Sequence, residues 1–183
     1  MTYTMRHLPH WHPPGATAFI TWRLHGSMPA QFMPPKLSDP PGKRFLGYDK
    51  LLDQAQCGPL WIKDQRVANC ILSRLRELQR RKLFLLRAYV LMANHVHVLL
   101  DPQTSLSKIT QQIKGATSRE ANLILGRTSK PFWQDESFDH WVRDPAEWQK
   151  IRAYIEANPV KAGLVASPRD WPWSSASNPF PIE

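Results

Sequence analysis

Alternation of apolar and polar positions predicts four β-strands along this chain of 183 residues. The first strand is rich in β-branched and aromatic residues and places Phe19, Thr21 and Arg23 on one face. The second and third strands are separated only by Ala93 and Asn94, which predicts a tight hairpin. The predicted strands cover residues 16–27, 84–92, 95–101 and 137–143.

Apolar residues that recur at intervals of three and four predict helices between and after these strands. The predicted helices cover residues 48–56, 63–82, 105–125 and 145–158, and the last is expected to stop before Pro159. The second helix is expected to bury Val67, Ile71, Leu75 and Leu78. The third is expected to be capped by Ser105 and to bury Leu106, Ile109, Ile113, Ala116 and Leu123.

The order of these elements predicts an α+β fold. We expect a ferredoxin-like or RRM-like antiparallel sheet, with helices packed on one face and Tyr154 carried by a C-terminal helix. Prolines in the segment 28–44 exclude a long helix or a central strand, so we expect a loop or an inserted arm. A Trp/Pro-rich tail at about 166–183 completes what we expect to be one domain over residues 1–183.

A formal charge of +9 indicates a polyanionic partner, although a solvated basic surface would give the same excess. Eight tryptophans could stack on unpaired bases or could simply fill the core. Cys57 and Cys70 have neither the spacing of a metal site nor that of a disulfide framework. We expect no signal peptide and no membrane span, and therefore a cytoplasmic protein.

His95 and His97 are two residues apart in a predicted strand, so their side chains should point to the same face. Neutral imidazoles at this spacing can share a Zn, Mn, Fe or Ni ion, and they suit Mg less well. Two protein ligands are too few for a structural zinc site and leave positions for substrate oxygens. The alternative is a pair of structural histidines.

Tyr154 and Asn158 are four residues apart and should lie on one face of the last helix. Near a cation, the Tyr154 phenol could act as a nucleophile, and the Asn158 amide oxygen could be a third metal ligand. The alternative is a tyrosine packed on the sheet and an asparagine that ends the helix.

Several segments together resemble the single-tyrosine HUH transposases, and most closely the REP-associated tyrosine transposases of the IS200-like group. They are residues 95–97 (HVH), 132–134 (FWQ), 137–140 (SFDH) and 154–164 (YIEANPVKAGL). The opening HLPHWHPPGATAFITWRL is also similar to the start of that group. Insertion-sequence relatives have Gln in place of Asn158, and the shorter amide fits the REP-associated group.

The resemblance implies a palm-like sheet with the histidine pair on a central strand and the tyrosine on a helix that faces it. It implies that Tyr154 attacks single-stranded DNA beside a short hairpin, becomes joined to the 5′ phosphate and releases a 3′ hydroxyl. His95, His97 and Asn158 would hold the divalent metal, Mg or Mn. The partner would be single-stranded or hairpin DNA, the protein a monomer or homodimer, and its location the bacterial cytoplasm, on the nucleoid when DNA-bound.

Basic and aromatic side chains are expected to hold the DNA, although each aromatic could instead belong to the core. The expected contacts are Arg23, Lys108, Lys114, Arg119, Trp133, Phe138, Trp141 and Arg143. His7, His10 and His12 are weaker candidates for the same role.

Two alternatives to this transposase-like nickase remain at the level of sequence. An RRM-like module could bind single-stranded nucleic acid without cutting it, although the RRM signature is missing. A metal-dependent hydrolase could use the histidine pair to activate water, but the sequence shows no clear acidic cluster beside it.

Overall fold

The computed structural model describes residues 15–28, 41–54 and 58–180, with the backbone alone at 41–46 and 48. The strands are β1 (Ala18–Leu24), β2 (Phe84–Leu91), β3 (His95–Pro102) and β4 (Trp133–Trp141). The helices are α1 (Pro41–Gln54), α2 (Gln65–Arg80), α3 (Leu106–Ile124) and α4 (Pro145–Lys161). Short 3-10 turns lie at Trp61–Lys63 and Pro168–Asp170.

The four strands form one antiparallel sheet in the order β2-β3-β1-β4. This order and the placement of the helices confirm the predicted α+β, ferredoxin-like fold class. In the register of the two central strands, Thr21 lies opposite His97 and Arg23 lies opposite His95. The histidine pair therefore lies at the beginning of an interior strand, away from either edge of the sheet.

Helices α2 and α3 cover one face of the sheet and enclose the larger core. The predicted stripe of α2 is fully buried there. In α3 the stripe is confirmed at its start, but Leu123 is 64% exposed and Ala116 is only half-buried. The helical repeat instead buries Thr117 and Ala121, so the predicted end of this stripe was wrong.

Helix α4 covers the opposite face, where Ile155 contacts a smaller buried cluster. Its other members are Phe19, Ala88, Val90 and Leu99 from the sheet and Met92, directly after β2. Both faces of the central strands are thus buried, which explains why β3 is an almost continuous apolar run.

Three of the element boundaries that differ from those predicted bear on the architecture. Helix α1 begins at Pro41, inside the segment predicted to be an arm, and most of that segment lies outside the described residues. Strand β4 begins at Trp133, because Trp133 pairs with Leu24 beyond an irregularity in the register. Helix α4 continues through Pro159 to Lys161, since a proline in the last turn removes only one backbone donor.

The C-terminal segment is attached to the outer edge of β2 rather than extending away from the domain. The backbone N–H of Leu91 donates to Trp173, and that of Ser175 donates to Tyr89. The Tyr89 hydroxyl donates to the carbonyl of Asn178, and Phe180 is buried against the same tyrosine. None of the helices in the described part of the chain is both long enough and apolar enough to cross a membrane.

Candidate active site

His95 and His97 lie on the face covered by α4, and neither is exposed to solvent. Their Nε2 atoms are 3.1 Å apart, so the two imidazoles point at a common centre as the strand pattern predicts. Burial, and then the neighbouring His97, lower the pKa of His95 to about 3. His95 is therefore a neutral imidazole at neutral pH, which is the form that binds metals.

A neighbouring side chain holds the Nδ1 atom of each ring. The Asn94 amide donates to the carbonyl of Leu52 at 3.0 Å, and its oxygen accepts from His95 Nδ1 at 2.7 Å. His97 Nδ1 is hydrogen-bonded to the Thr21 hydroxyl at 2.6 Å. Partners of this kind set the orientation and tautomer of metal-binding histidines.

Helix α1 brings two carboxylates to the histidines, Asp49 and, one turn later, Asp53. Asp49 Oδ1 lies 3.1 Å from His97 Nε2 and 3.7 Å from His95 Nε2, and Asp53 Oδ1 lies 3.7 Å from His95 Nε2. One ligand atom each from Asp49, His95 and His97 lies within 4.8 Å of the other two. The expectation that no acidic cluster accompanies the histidines was therefore wrong.

Sequence reasoning missed these aspartates even though both fall in the predicted helix 48–56, four residues apart. That spacing was the available signal, because it places both carboxylates on one helical face. It could not show which strand the face would meet, since the preceding segment is rich in proline.

Charge at this site is unevenly distributed between the two carboxylates. Burial alone would raise the pKa of Asp49, but His97 and His95 outweigh this effect and hold it below its ordinary value. Burial and the adjacent charge of Asp49 raise the pKa of Asp53 to about 7. Around neutral pH the site thus contains a full negative charge on Asp49 and a partly protonated Asp53.

Asn158 reaches the same centre from α4 and is completely buried. Its Nδ2 lies 3.3 Å from Asp49 Oδ2 and 3.4 Å from His97 Nε2. Its Oδ1 is buried without a hydrogen-bond partner, whereas Asp49 Oδ1 lies 3.1 Å from His97 Nε2. An unpaired buried oxygen costs about 1–3 kcal/mol, and a cation bound at this centre would offset that cost.

The Tyr154 ring lies one helical turn before Asn158, with its centroid 5.9 Å from that of His97. It meets the Phe19 ring edge-on at 6.4 Å, and Lys161 Nζ lies 4.2 Å from the tyrosine centroid. A cation over an aromatic face is stabilising and favours negative charge that develops on the phenol. The structure thus brings the tyrosine, the asparagine and the histidine pair to one pocket.

Two of the expected DNA contacts lie near this pocket. Phe138 packs edge-on against Phe19, at 6.2 Å between centroids, and is partly buried. Arg23 lies opposite His95 at the end of β1, with its guanidinium 3.4 Å from the Ser27 hydroxyl.

The other expected DNA contacts are not assembled there. Lys108, Lys114 and Arg119 belong to α3, which packs on the other face of the sheet. Lys114 Nζ also donates to the carbonyl of Asp135 and to the Ser137 hydroxyl.

Among the aromatic candidates, Trp133 is only 5% exposed, and its indole N–H donates to the Thr117 hydroxyl. Its ring packs within the larger core and offers little exposed surface for stacking on bases, and its role in DNA binding stays a prediction. Trp141 is half-buried against the same core, and Arg143 is exposed and paired with Glu147. His7, His10 and His12 lie outside the described residues.

A sequence model of the family described as "Transposase IS200 like" matches residues 60–158, which is more than half of the chain. The matched region contains His95, His97, Tyr154 and Asn158, and it excludes Asp49 and Asp53. It thus includes the histidine pair and the helix that faces it.

The chain is 28% identical over 102 residues to the REP-associated tyrosine transposase of Escherichia coli (strain K12). That match covers 54% of this chain and 58% of the relative, so it spans little more than half of the relative's length. The fold is similar to a solved structure of a REP-associated tyrosine transposase bound to a REP hairpin, with a TM-score of 0.54 and 21% identity. The superposition covers 99% of this chain and 89% of that one. The family match and the shared fold show that the chain belongs to the IS200-like transposase family.

Proposed function

We propose that this protein is a metal-dependent single-strand DNA endonuclease and strand transferase that cleaves beside REP-type hairpins. It acts through a covalent 5′-phosphotyrosine intermediate on Tyr154, and residues 1–183 serve as one domain of this type. The observation that carries the proposal is the convergence of the Tyr154 ring, Asn158 and the histidine pair on one buried centre. A similar protein that binds a REP hairpin supports the choice of DNA partner.

In the proposed reaction the Tyr154 oxygen attacks the scissile phosphorus and the bond to the 3′ oxygen breaks. The phenol loses its proton and the departing 3′ oxygen gains one, so that one phosphodiester is exchanged for one tyrosyl ester. The step needs neither water nor ATP, and its reversal rejoins the strands. Lys161, 4.2 Å from the ring centroid, favours the negative charge that develops on the phenol.

Three residues are proposed to hold the divalent metal, Mg or Mn: His95, His97 and Asn158. The unpaired Asn158 oxygen and the neutral His95 imidazole fit this role. When bound, the metal supplies Lewis-acid stabilisation of charge on the phosphoryl oxygens. The chain itself orients the imidazoles through Asn94 and Thr21 and keeps the pocket largely dry.

The test is a denaturing gel of the protein with a radiolabelled REP-type hairpin that has single-stranded flanks, in the presence of Mn²⁺. We expect a protease-sensitive, DNA-linked band from the wild type and none from Tyr154→Phe, which should still bind the hairpin. Tyr89→Phe is the matched control, because that hydroxyl lies at the C-terminal segment and not at the site. An adduct on Tyr154→Phe at the wild-type rate would refute the nucleophile.

The two carboxylates of α1 favour a second candidate, a metal-dependent nuclease in which water is the nucleophile. The same gel separates the two, because hydrolysis gives a cut strand without attached protein and survives Tyr154→Phe. Binding with neither product would instead indicate a nucleic-acid-binding module that does not cleave.

A further inference from the structure

We propose that Asp49 is a direct ligand of the metal, and that the metal therefore fastens helix α1 to the sheet. The inference rests on the proposed function only in requiring a divalent cation at the histidine pair. The inference adds the Asp49 carboxylate to the proposed metal ligands His95, His97 and Asn158. This carboxylate comes from a helix outside the region that matches the family.

The distances suit a shared ion. His95 Nε2 and His97 Nε2 are 3.1 Å apart, and Asp49 Oδ1 lies 3.1 Å from the second and 3.7 Å from the first. Two ligand atoms at right angles around an octahedral ion, each about 2.1 Å from it, are about 3.0 Å apart. Two of the three separations therefore match adjacent corners of one coordination sphere, and the third, 3.7 Å, is wider by about 0.7 Å.

The orientation of the carboxylate agrees with this role. Asp49 is 2% exposed, and the Asn158 amide approaches its Oδ2 at 3.3 Å. Its Oδ1 lies 3.1 Å from His97 Nε2 and 3.7 Å from His95 Nε2, so it faces both imidazoles. The oxygen is thus directed at the centre that the two rings share, which is where a common ion would lie.

Charge gives an independent reason. Two imidazoles and an amide are neutral ligands and would leave both charges of a divalent ion uncompensated in a buried site. The negative charge of the Asp49 carboxylate compensates one of these two positive charges. A set of two nitrogens and one carboxylate oxygen favours Mn²⁺ over Mg²⁺, because magnesium is bound poorly by imidazole.

The position of Asp49 couples the ion to α1. Among the described residues of this helix, Leu52 is also buried, and its carbonyl accepts from Asn94, the partner of His95. An ion held jointly by Asp49 and the histidines would thus join α1 to β3 at the point where Leu52 already packs. Metal binding should order this helix.

The first measurement is binding of Mn²⁺ to the full chain without DNA, followed by electron paramagnetic resonance of the free ion. We expect His97→Ala to abolish binding and Asp49→Asn to weaken it by at least about tenfold. Asp53→Asn, one turn along the same helix, should leave the affinity within a few-fold of the wild type. Thermal unfolding of each apo variant checks that it is folded.

A second measurement distinguishes a ligand from a residue that merely orients His97. Asp49→Cys loaded with Co²⁺ should show thiolate-to-metal charge-transfer absorption in the near ultraviolet, and Asp53→Cys should match the wild-type spectrum. Hydrogen exchange in residues 41–54 should slow on addition of Mn²⁺ in the wild type and not in Asp49→Asn.

The outcomes are separable. If the wild type binds Mn²⁺ and His97→Ala does not, but Asp49→Asn binds normally or Asp49→Cys lacks the absorption, this inference is wrong and the proposed function stands. If the wild type binds neither Mn²⁺ nor Co²⁺, the metal dependence in the proposed function fails as well.

Discussion

Each imidazole of the pair depends on a single neighbour at Nδ1. Asn94 holds His95, Thr21 holds His97, and the two Nε2 atoms are thereby directed toward one point. Thr21 lies on β1, the strand that pairs with β3, so the orientation of His97 is set across the sheet and not within its own strand. Such outer partners commonly change metal affinity by about 10- to 100-fold.

Replacing Thr21 by the isosteric valine tests this dependence. We expect Thr21→Val to weaken Mn²⁺ binding by about 10- to 100-fold. The free energy of unfolding should fall by about 1–3 kcal/mol, since His97 Nδ1 is left buried without its partner. Calorimetric titration with Mn²⁺ and denaturant unfolding measure the two effects.

The control is Thr17→Val, whose hydroxyl donates to Asp101 near the far end of β3. Equal metal affinities in the two variants would show that the Thr21 contact does not position the imidazole.

Helices α3 and α4 serve different purposes on the two faces of the sheet. Helix α4 carries Tyr154 and Asn158 to the histidines, whereas α3 supports β4 from behind. Lys114 makes part of that support through its contacts to Asp135 and Ser137 on the edge strand. Burial is the main reason that the pKa of Lys114 falls from 10.5 to about 8.

This shift predicts an unusual dependence of stability on pH. Between pH 8 and 10.5 the unfolded chain binds more protons at Lys114 than the folded protein does, so stability from this residue rises with pH across that window. Relative to Lys114→Met, the wild type should gain at most about 3 kcal/mol in free energy of unfolding between these limits. Urea unfolding at several pH values measures the difference.

The exposed Lys108 of the same helix provides the matched control variant, Lys108→Met. If the free energy of unfolding changed with pH equally in the wild type and Lys114→Met, the folded protein would not disfavour the charged form of the Lys114 amine.

Considered as a whole, the molecule presents two different surfaces. One is formed by α2 and α3 and carries many arginines and lysines, and the other holds α4 and the histidine pocket. Under the proposed function, DNA would touch the second surface, where Lys161 ends α4 beside Tyr154. The high net charge would then attract DNA from a distance without deciding its final position.

The salt dependence of hairpin binding identifies the surface used. We expect Lys161→Gln to reduce the slope of log affinity against log salt by about 0.7–0.9, the loss of one phosphate contact. Lys108→Gln on α3 should leave the slope unchanged. Fluorescence anisotropy at several salt concentrations gives both slopes. A slope that Lys108→Gln reduces and Lys161→Gln leaves unchanged would place the DNA on the surface formed by α2 and α3.

Local patterns were enough to predict most of the fold. The strands, the hairpin and the stripe of α2 follow from periodicity over short stretches, and the shared face of His95 and His97 follows from a spacing of two. Asp49 could not be predicted because its contacts join segments 46 to 109 residues apart. The burial of Trp133 depends in the same way on α3, whose Thr117 receives the indole N–H.

The attachment of the C-terminal segment to β2 has a consequence for self-association. Hydrogen bonds from Leu91 to Trp173 and from Ser175 to Tyr89 already use main-chain groups on that side of the sheet. A second copy would meet this segment before it could pair with β2 itself. Within the described part of the chain, β4 is then the edge strand that a second copy could pair with directly.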